Sequence, residues 1–222
     1  SNRSTIDQII RLETLVRDTF IKREHAVAIF FDLEKAYDTT WKYGIMRDLH
    51  DAGLRGRLPI FISKFLTERT FNVRVGTILS EPYGQEEGVP QGSILSVTLF
   101  SLKINSIVGS LSDGVDCSLY VDDFLVCYRS KQIHTIERQL QLCLNKIEKW
   151  ADENGFKFSK SKTVCVHFCK LYNLHPDPTL TLYDTNIPIV DQFKFLGVIF
   201  EKKIAFKPHI KNLKVKCTKA LN

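Results

Sequence analysis

The chain has 222 residues, of which 44% are hydrophobic and 25% charged, and its formal net charge is +6. This is the composition of an ordinary globular protein, long enough for one large domain or two small ones. No apolar stretch approaches the ~20 residues of a membrane span, so no membrane partner is expected. The charge is concentrated at one end: residues 201–222 hold seven lysines and one glutamate, which leaves the first 200 residues balanced. The opening residues are polar, carry no apolar signal core and lack an initiator Met, and the chain is read as a piece of something longer. Its six cysteines form no C-x-x-C pair and sit mostly among apolar neighbours, as buried thiols do in a reducing compartment, nuclear or cytoplasmic.

In chain order, Ser4 stands three residues before Asp7 in a capping-box arrangement, and apolar residues at 6, 9, 10, 12, 15, 16 and 20 predict a helix. Residues 25–33 form a continuous apolar run of strand length that ends in Asp32, the pattern of a strand covered on both faces. Apolar residues at 41, 45, 49 and 52 predict a helix closed by Gly53, and a second helix is expected to start near Pro59. Residues 70–84 read as a hairpin turning near Gly76, and Gly88, Pro90 and Gly92 mark a loop. From Ser93 to Leu111 the chain is apolar nearly all round, which predicts a buried helix with Ser93 near its start.

Residues 115–129 read as two strands turning at Asp122 and Asp123, and 132–154 as an amphipathic helix with Ile133, Ile136, Leu140, Cys143, Ile147 and Ala151 on one stripe, ended by Gly155. Short strands are expected around 163–168, 180–183 and 193–200. A basic amphipathic helix is expected after Pro208, its lysines suited equally to solvent and to a phosphate backbone. Cys165, His167 and Cys169 would share one strand face. A sheet face explains them better than a metal site, because no fourth ligand follows at zinc-site spacing. The mixture of hairpins and helices without strict alternation argues for an α+β fold, a mainly antiparallel sheet packed on helices.

Two adjacent aspartates inside an apolar hairpin demand an explanation, since unpaired carboxylates in such a setting repel one another and are costly to bury. If the strand ending at Asp32 neighbours that hairpin, three carboxylates converge at one end of the sheet. Two divalent cations ~3.5–4 Å apart would relieve the repulsion. Hard ions with oxygen ligands, Mg²⁺ or Mn²⁺, suit such a site and suit phosphate substrates. Because successive strand side chains alternate, Asp122 is expected as a principal ligand with Asp32 and Asp123 as a secondary one.

The blocks FFDLEKAYD (30–38), EGVPQGSILSVTLF (87–100), YVDD (120–123), GFKFSKSKT (155–163) and FKFLGV (193–198) occur in that order. Together they resemble the reverse transcriptase palm, most closely that of a non-LTR, LINE-type, jockey-like retrotransposon. Val121 stands where Ala is more usual in LINE-type relatives.

The resemblance implies an RNA-directed DNA polymerase working on an RNA template, a DNA primer and deoxynucleoside triphosphates. It implies two Mg²⁺ ions on Asp32, Asp122, Asp123 and the backbone carbonyl of Leu33. It places Glu34, Lys35, Ala36 and Tyr37, with free backbone N–H groups, at the triphosphate, Tyr37 being the steric gate against a ribose 2′-hydroxyl. Gln91 and Gly92 would contact the nascent base pair. Lys162 would protonate pyrophosphate, with Lys160 a close competitor for that role. Phe195, Leu196 and Gly197 would form the primer grip, with Gly197 at its bend.

By the same resemblance, residues 1–24 and 54–86 belong to a partial fingers region, 25–53 and 87–200 to the palm with its primer-grip hairpin near 193–200, and 201–222 to the start of the thumb. Most of the fingers, the rest of the thumb and the endonuclease of such elements lie outside these residues. Asp38 is assigned to helix capping. The rival readings are a catalytically inactive RNA-binding scaffold or a fragment of a decayed element, a maturase or telomerase-like polymerase on the same palm, and a nucleotide-binding regulatory domain.

Overall fold

A computed structural model describes residues 4–171 and 175–221. The helices are α1 (Thr5–Ile21), α2 (Lys42–Asp51), α3 (Arg57–Leu66), α4 (Ile94–Asn105), α5 (Ile133–Asn154) and α6 (Lys207–Leu221). The strands are β1 (His25–Phe31), β2 (Thr70–Phe71), β3 (Arg74–Val75), β4 (Ile78–Leu79), β5 (Tyr83–Gly84), β6 (Asp116–Tyr120), β7 (Asp123–Ser130), β8 (Val164–Phe168), β9 (Thr181–Leu182), β10 (Thr185–Asn186), β11 (Gln192–Phe195) and β12 (Val198–Glu201). Two compact units are built from these elements. The first takes the described residues of Ser1–Asp32, Val108–Lys149 and Phe158–Asn222, and the second takes Leu33–Ile107 and Trp150–Lys157. Residues 33–53 and 87–107, assigned to the palm in the sequence, therefore group with 54–86. Residues 4–24, assigned to the fingers, group with the large sheet.

In the first unit β1 is buried at all seven positions, as its lack of alternation requires. It lies inside an antiparallel sheet of strand order β6-β7-β1-β8. Its even-numbered residues Ala26, Ala28 and Phe30 share a core with Leu12 and Val16 of α1, Val166 and Phe168 of β8, and Phe195 and Phe200 of the β11–β12 hairpin. Each fully buried Phe or Leu of that set stabilises the unit by about 1.5–3 kcal/mol. The α1 start is a capping box: the Asp7 carboxylate accepts from the Ser4 N–H at 2.6 Å, and Ser4 Oγ accepts from the Asp7 N–H at 3.4 Å. The α5 stripe at Ile136, Leu140, Cys143, Ile147 and Ala151 is buried, as its period predicts. Helix α6 forms at the basic end, but it buries no residue. Ile210 is 62% exposed and Val215 49%, so its apolar face stays open among the described residues. No helix among the described residues is long and apolar enough to cross a membrane.

In the second unit α2 packs on both α3 and α4, and the 70–84 segment folds as paired ribbons, β2 with β5 and β3 with β4. Helix α4 ends at Asn105 and continues as a 3₁₀ turn to Ser110. It is not buried all round as its composition predicts: Ile94 is 88% exposed and Val97 43%. Ser93 precedes it without a side-chain capping bond. What α4 does bury is a charge. The Lys103 side chain is wholly enclosed, and its Nζ donates to Asp48 Oδ2 at 3.0 Å and to Asn154 Oδ1 at 2.8 Å. The ammonium also lies 5.8 Å from the Trp41 ring centroid. Gly44 leaves room for this packing, since a Cβ there would fall 2.6 Å from the Trp41 ring and 3.0 Å from Lys103 Nζ.

Removing one partner of a buried ion pair strands the other, which costs about 3–5 kcal/mol. Lys103→Ala is expected to lower stability in denaturant titrations by about 3 kcal/mol. Lys103→Met, which keeps the stem, should lose less. An unchanged unfolding midpoint for Lys103→Ala would show that the pair holds nothing together.

Candidate active site

The antiparallel register brings the carboxylates together. β1 pairs with β7 so that Phe31 faces Phe124. The ladder ends there, with Asp32 following β1 and Asp123 opening β7 at the same end of the sheet, near enough that the Asp32 charge acts on Asp123. β6 and β7 close as a tight hairpin in which Tyr120 pairs with Asp123, leaving Val121 and Asp122 as a two-residue turn. Val121 has φ +58°, a left-handed conformation that a β-branched residue avoids. Strain of this kind costs about 1–3 kcal/mol and persists only where its surroundings enforce it. Beneath the carboxylates lie aromatic rings: Phe31 stacks on Phe124 at 5.0 Å, and Phe158 lies 5.0 Å from Phe31.

Asp32 is held by its backbone. Its C=O accepts from the Ser159 N–H at 2.7 Å, and its N–H donates to Thr163 Oγ1 at 3.4 Å. Thr163 is wholly buried, and its own N–H closes the turn onto Ser159 O at 3.0 Å. The turn so fixed carries Lys162, whose Nζ stands 3.4 Å from Asp32 Oδ2. Lys160 points elsewhere, donating to the Tyr183 carbonyl at 3.0 Å and lying over the Tyr183 ring. Of the two lysines weighed for the pyrophosphate, Lys162 is the one beside the carboxylates.

The charges are incompletely matched. Partial burial raises the Asp123 pKa, and the charges of Asp122 and Asp32 raise it further. Asp32 Oδ2 is withdrawn from solvent and accepts no hydrogen bond among the described residues. A buried orphan oxygen beside two repelling carboxylates, with one exposed lysine as the nearby cation, is a donor set that fits hard divalent ions.

The remaining expected residues of the nucleotide site lie in the second unit. After Asp32 the chain runs through turns at 34–38, with Lys35 at φ +48°. The Glu34 N–H, expected to be free for phosphate, is instead spent on the Lys157 carbonyl at 2.9 Å, because the chain still pairs with a neighbouring segment there. Tyr37 stacks on the buried ring of Phe100 at 4.7 Å, and Thr40 Oγ1 closes onto the Ala36 carbonyl at 2.6 Å. The 87–92 loop is tied to the same segment: Val89 N–H donates to Tyr37 O at 2.8 Å, and Gly88 N–H to Thr40 O at 2.9 Å. Only glycine fits at 88, where φ is +82° and a Cβ would fall 2.5 Å from Asp38 O.

Asp38 does not cap α2. That helix starts after Trp41 with no side-chain cap, and the Asp38 carboxylate accepts instead from Gln91 Nε2 at 3.0 Å. This contact orients Gln91 beside Gly92, which has φ +92°. In the first unit, the 193–198 block folds as the expected hairpin. Leu196 and Gly197 form its two-residue turn at φ +46° and +91°, the signs of a type I′ turn. Phe195 is buried, 5.6 Å from the Phe30 ring, so its side chain anchors the hairpin while Leu196 and Gly197 form the tip. Sequence reasoning missed Ser159, Thr163 and the Asp38–Gln91 pair. A Thr between a lysine-rich turn and a strand is the one local sign that the first two left.

Residues 1–200 match the family model described as reverse transcriptase (RNA-dependent DNA polymerase). Among curated proteins, the chain is 27% identical over 215 residues to an RNA-directed DNA polymerase from mobile element jockey of Drosophila melanogaster, covering 94% of this chain and 23% of that protein. It is 29% identical over 224 residues to a probable RNA-directed DNA polymerase from transposon BS of the same species, covering 96% and 24%. The chain thus spans about a quarter of the length of these relatives. Among solved structures, the truncated apo telomerase of Candida tropicalis superposes with a TM-score of 0.57 at 16% identity, over 90% of this chain and 39% of that one. Telomerase of the same organism in complex with a telomeric RNA fragment gives 0.56 at 13%, over 90% and 33%. At such identities the likeness is one of fold.

Three carboxylates crowded without a full complement of cations should make the site destabilising until ions arrive. Asp123→Asn is therefore expected to unfold at the same or a higher temperature than the unsubstituted chain in chelator. It should also lose most of the upward shift that MgCl₂ or MnCl₂ gives the unsubstituted chain, as followed by thermal melts with and without divalent ions. Equal shifts in both proteins would separate Asp123 from the ion site.

Proposed function

The chain belongs to the reverse transcriptase family, and from that premise we propose that it is the polymerase segment of a non-LTR retrotransposon protein, extending a DNA primer along an RNA template. The observation that carries this reading is the meeting of Asp32 with the Asp122–Asp123 turn, with Lys162 beside them. Asp32, Asp122 and Asp123, with the Leu33 carbonyl, would hold two Mg²⁺ ions (Mn²⁺ as a substitute), which supply charge neutralisation and an acidified primer 3′-hydroxyl for in-line attack on the α-phosphorus.

The chain's own residues do the rest by positioning and electrostatics. Lys162 Nζ would carry a proton to the departing pyrophosphate. The Tyr37 ring, braced by Phe100, would exclude a 2′-hydroxyl. Gln91, oriented by Asp38, and Gly92, which lacks a side chain, would meet the incoming nucleotide and the nascent pair. With the Glu34 N–H already used, the Lys35 and Ala36 N–H groups would face the triphosphate. Phe195 anchors a hairpin whose Leu196–Gly197 tip would steady the primer strand. The lysines of α6 would follow the phosphate backbone, and the partition into palm, partial fingers and thumb start belongs to the same proposal.

The test is primer extension on an RNA template with deoxynucleotides and Mg²⁺, carried out with these residues inside a chain lengthened at both ends. Asp122→Asn should reduce incorporation by at least ~10³-fold, the loss expected when a metal ligand at the reacting phosphorus is neutralised. Affinity for the RNA–DNA duplex should change little. Incorporation unaffected by the substitution would overturn the mechanism. Duplex binding without incorporation in the unsubstituted protein would favour the inactive scaffold.

A further inference from the structure

The opposite end of β1 carries a second cluster of ligating side chains. His25 opens the strand and Asp32 follows its end, so the two ends stand about 23 Å apart at ~3.3 Å per residue. His25 is buried, at 1% exposure. The β1–β8 register pairs Ala26 with Phe168, so Cys169 leaves β8 at the end of the sheet where His25 opens β1. His175 lies against His25, the two rings meeting edge to face at 4.5 Å. One ligand atom from each of His25, Cys169 and His175 lies within 4.8 Å of the others.

Three features distinguish this cluster from a plain sheet face. First, His175 Nε2 is buried and has no hydrogen-bond partner among the described residues, an arrangement that a buried polar atom otherwise avoids. Second, His25 is oriented from behind. Asp177 Oδ1 stands 2.8 Å from His167 Nδ1, and His167 Nε2 stands 2.9 Å from His25 Nδ1. A carboxylate accepts, so a neutral His167 donates from Nδ1 and accepts at Nε2. His25 then donates from Nδ1 and keeps its Nε2 lone pair free. This is the carboxylate–histidine backing that metal-bound imidazoles use. Third, Cys169 Sγ is held in place, accepting from the Leu171 N–H at 3.4 Å.

We propose that His25, Cys169 and His175 bind a zinc-class transition metal, with His167 and Asp177 orienting His25 from the second shell. Zinc takes nitrogen at ~2.0–2.1 Å and thiolate at ~2.3 Å in tetrahedral geometry, so the donors need only draw in from their present spacing. Three protein ligands leave one position for water. Two imidazoles and a thiolate do not suit Mg²⁺, so this site and the carboxylate site select different ions. The ion would tie the first residue of the central strand to the segment beyond β8. The cysteine is one already visible on the strand face. Its partners are not Cys165 and His167 along the strand but His25 on the neighbouring strand and His175 after it.

The test uses Co²⁺ as a spectroscopic probe and Zn²⁺ as competitor on the purified chain. One equivalent of Co²⁺ should produce tetrahedral d–d bands and a thiolate charge-transfer band, and one equivalent of Zn²⁺ should erase both. Cys169→Ser should abolish the charge-transfer band, and His175→Ala should weaken Zn²⁺ binding by about 100-fold or more, beyond the second-shell range. His167→Gln should weaken it by about 10–100-fold. Cys217→Ser, at an exposed cysteine, and Asp122→Asn, at the carboxylate site, should leave the spectrum intact. Circular dichroism in chelator establishes that each variant is folded. No stoichiometric uptake, or a charge-transfer band that survives Cys169→Ser, would overturn the proposal.

Discussion

A strand buried on both faces tolerates one register only, because a slip of one residue turns every side chain to the other face. In this protein β1 is locked on both edges, by β7 through Phe31 and Phe124 and by β8 through Ala26 and Phe168. The even residues must meet α1 and the β11–β12 hairpin in one apolar core. Those demands leave the two ends of the strand no freedom. At one end the register delivers Asp32 to Asp123, and at the other it delivers His25 to Cys169. The chemistry at each end is thus set by the packing of the six apolar residues between.

The cost of the site is written in its geometry. Val121 sits at positive φ, Asp32 Oδ2 is enclosed with an ion pair to Lys162 but no hydrogen bond among the described residues, and Asp123 is held against two like charges. Each is unfavourable alone, and each becomes intelligible once cations share the carboxylates. Lys162 supplies part of the neutralisation from an exposed position. A surface ion pair of this kind is worth little to stability, and in the proposed function its value is to place an ammonium where phosphate charge would develop. Stability is made up elsewhere, in the aromatic floor of Phe31, Phe124 and Phe158 and in the Lys103 network of the second unit.

Much of this was legible in the residues. The unalternating 25–33 run announced a doubly covered strand, the Ser4–Asp7 spacing announced a helix start, and the 132–154 stripe announced which side would be buried. The convergence of the aspartates followed from topology once the family blocks suggested neighbouring strands. What local pattern could not reveal were contacts across long stretches of chain. Asp38 looked like a cap because its neighbours begin a helix, yet Gln91, 53 residues later, claims its carboxylate. Lys103 is the single charge in the apolar 93–111 run, and its partners lie 55 residues before it and 51 after it. The apolar run of α4 suggested full burial, but composition cannot say how many faces find a partner. His25 and His175 gave no periodic signal, being 150 residues apart and joined through a contact between their rings.

In the proposed function three acidic side chains meet around shared ions, and diffraction from crystals soaked in Mn²⁺ tests this most directly. That reading predicts two anomalous peaks ~3.5–4 Å apart, bonded by Asp32, Asp122 and Asp123. Peaks placed away from these carboxylates, or a 119–126 ribbon whose tip turns away from the end of β1, would contradict it.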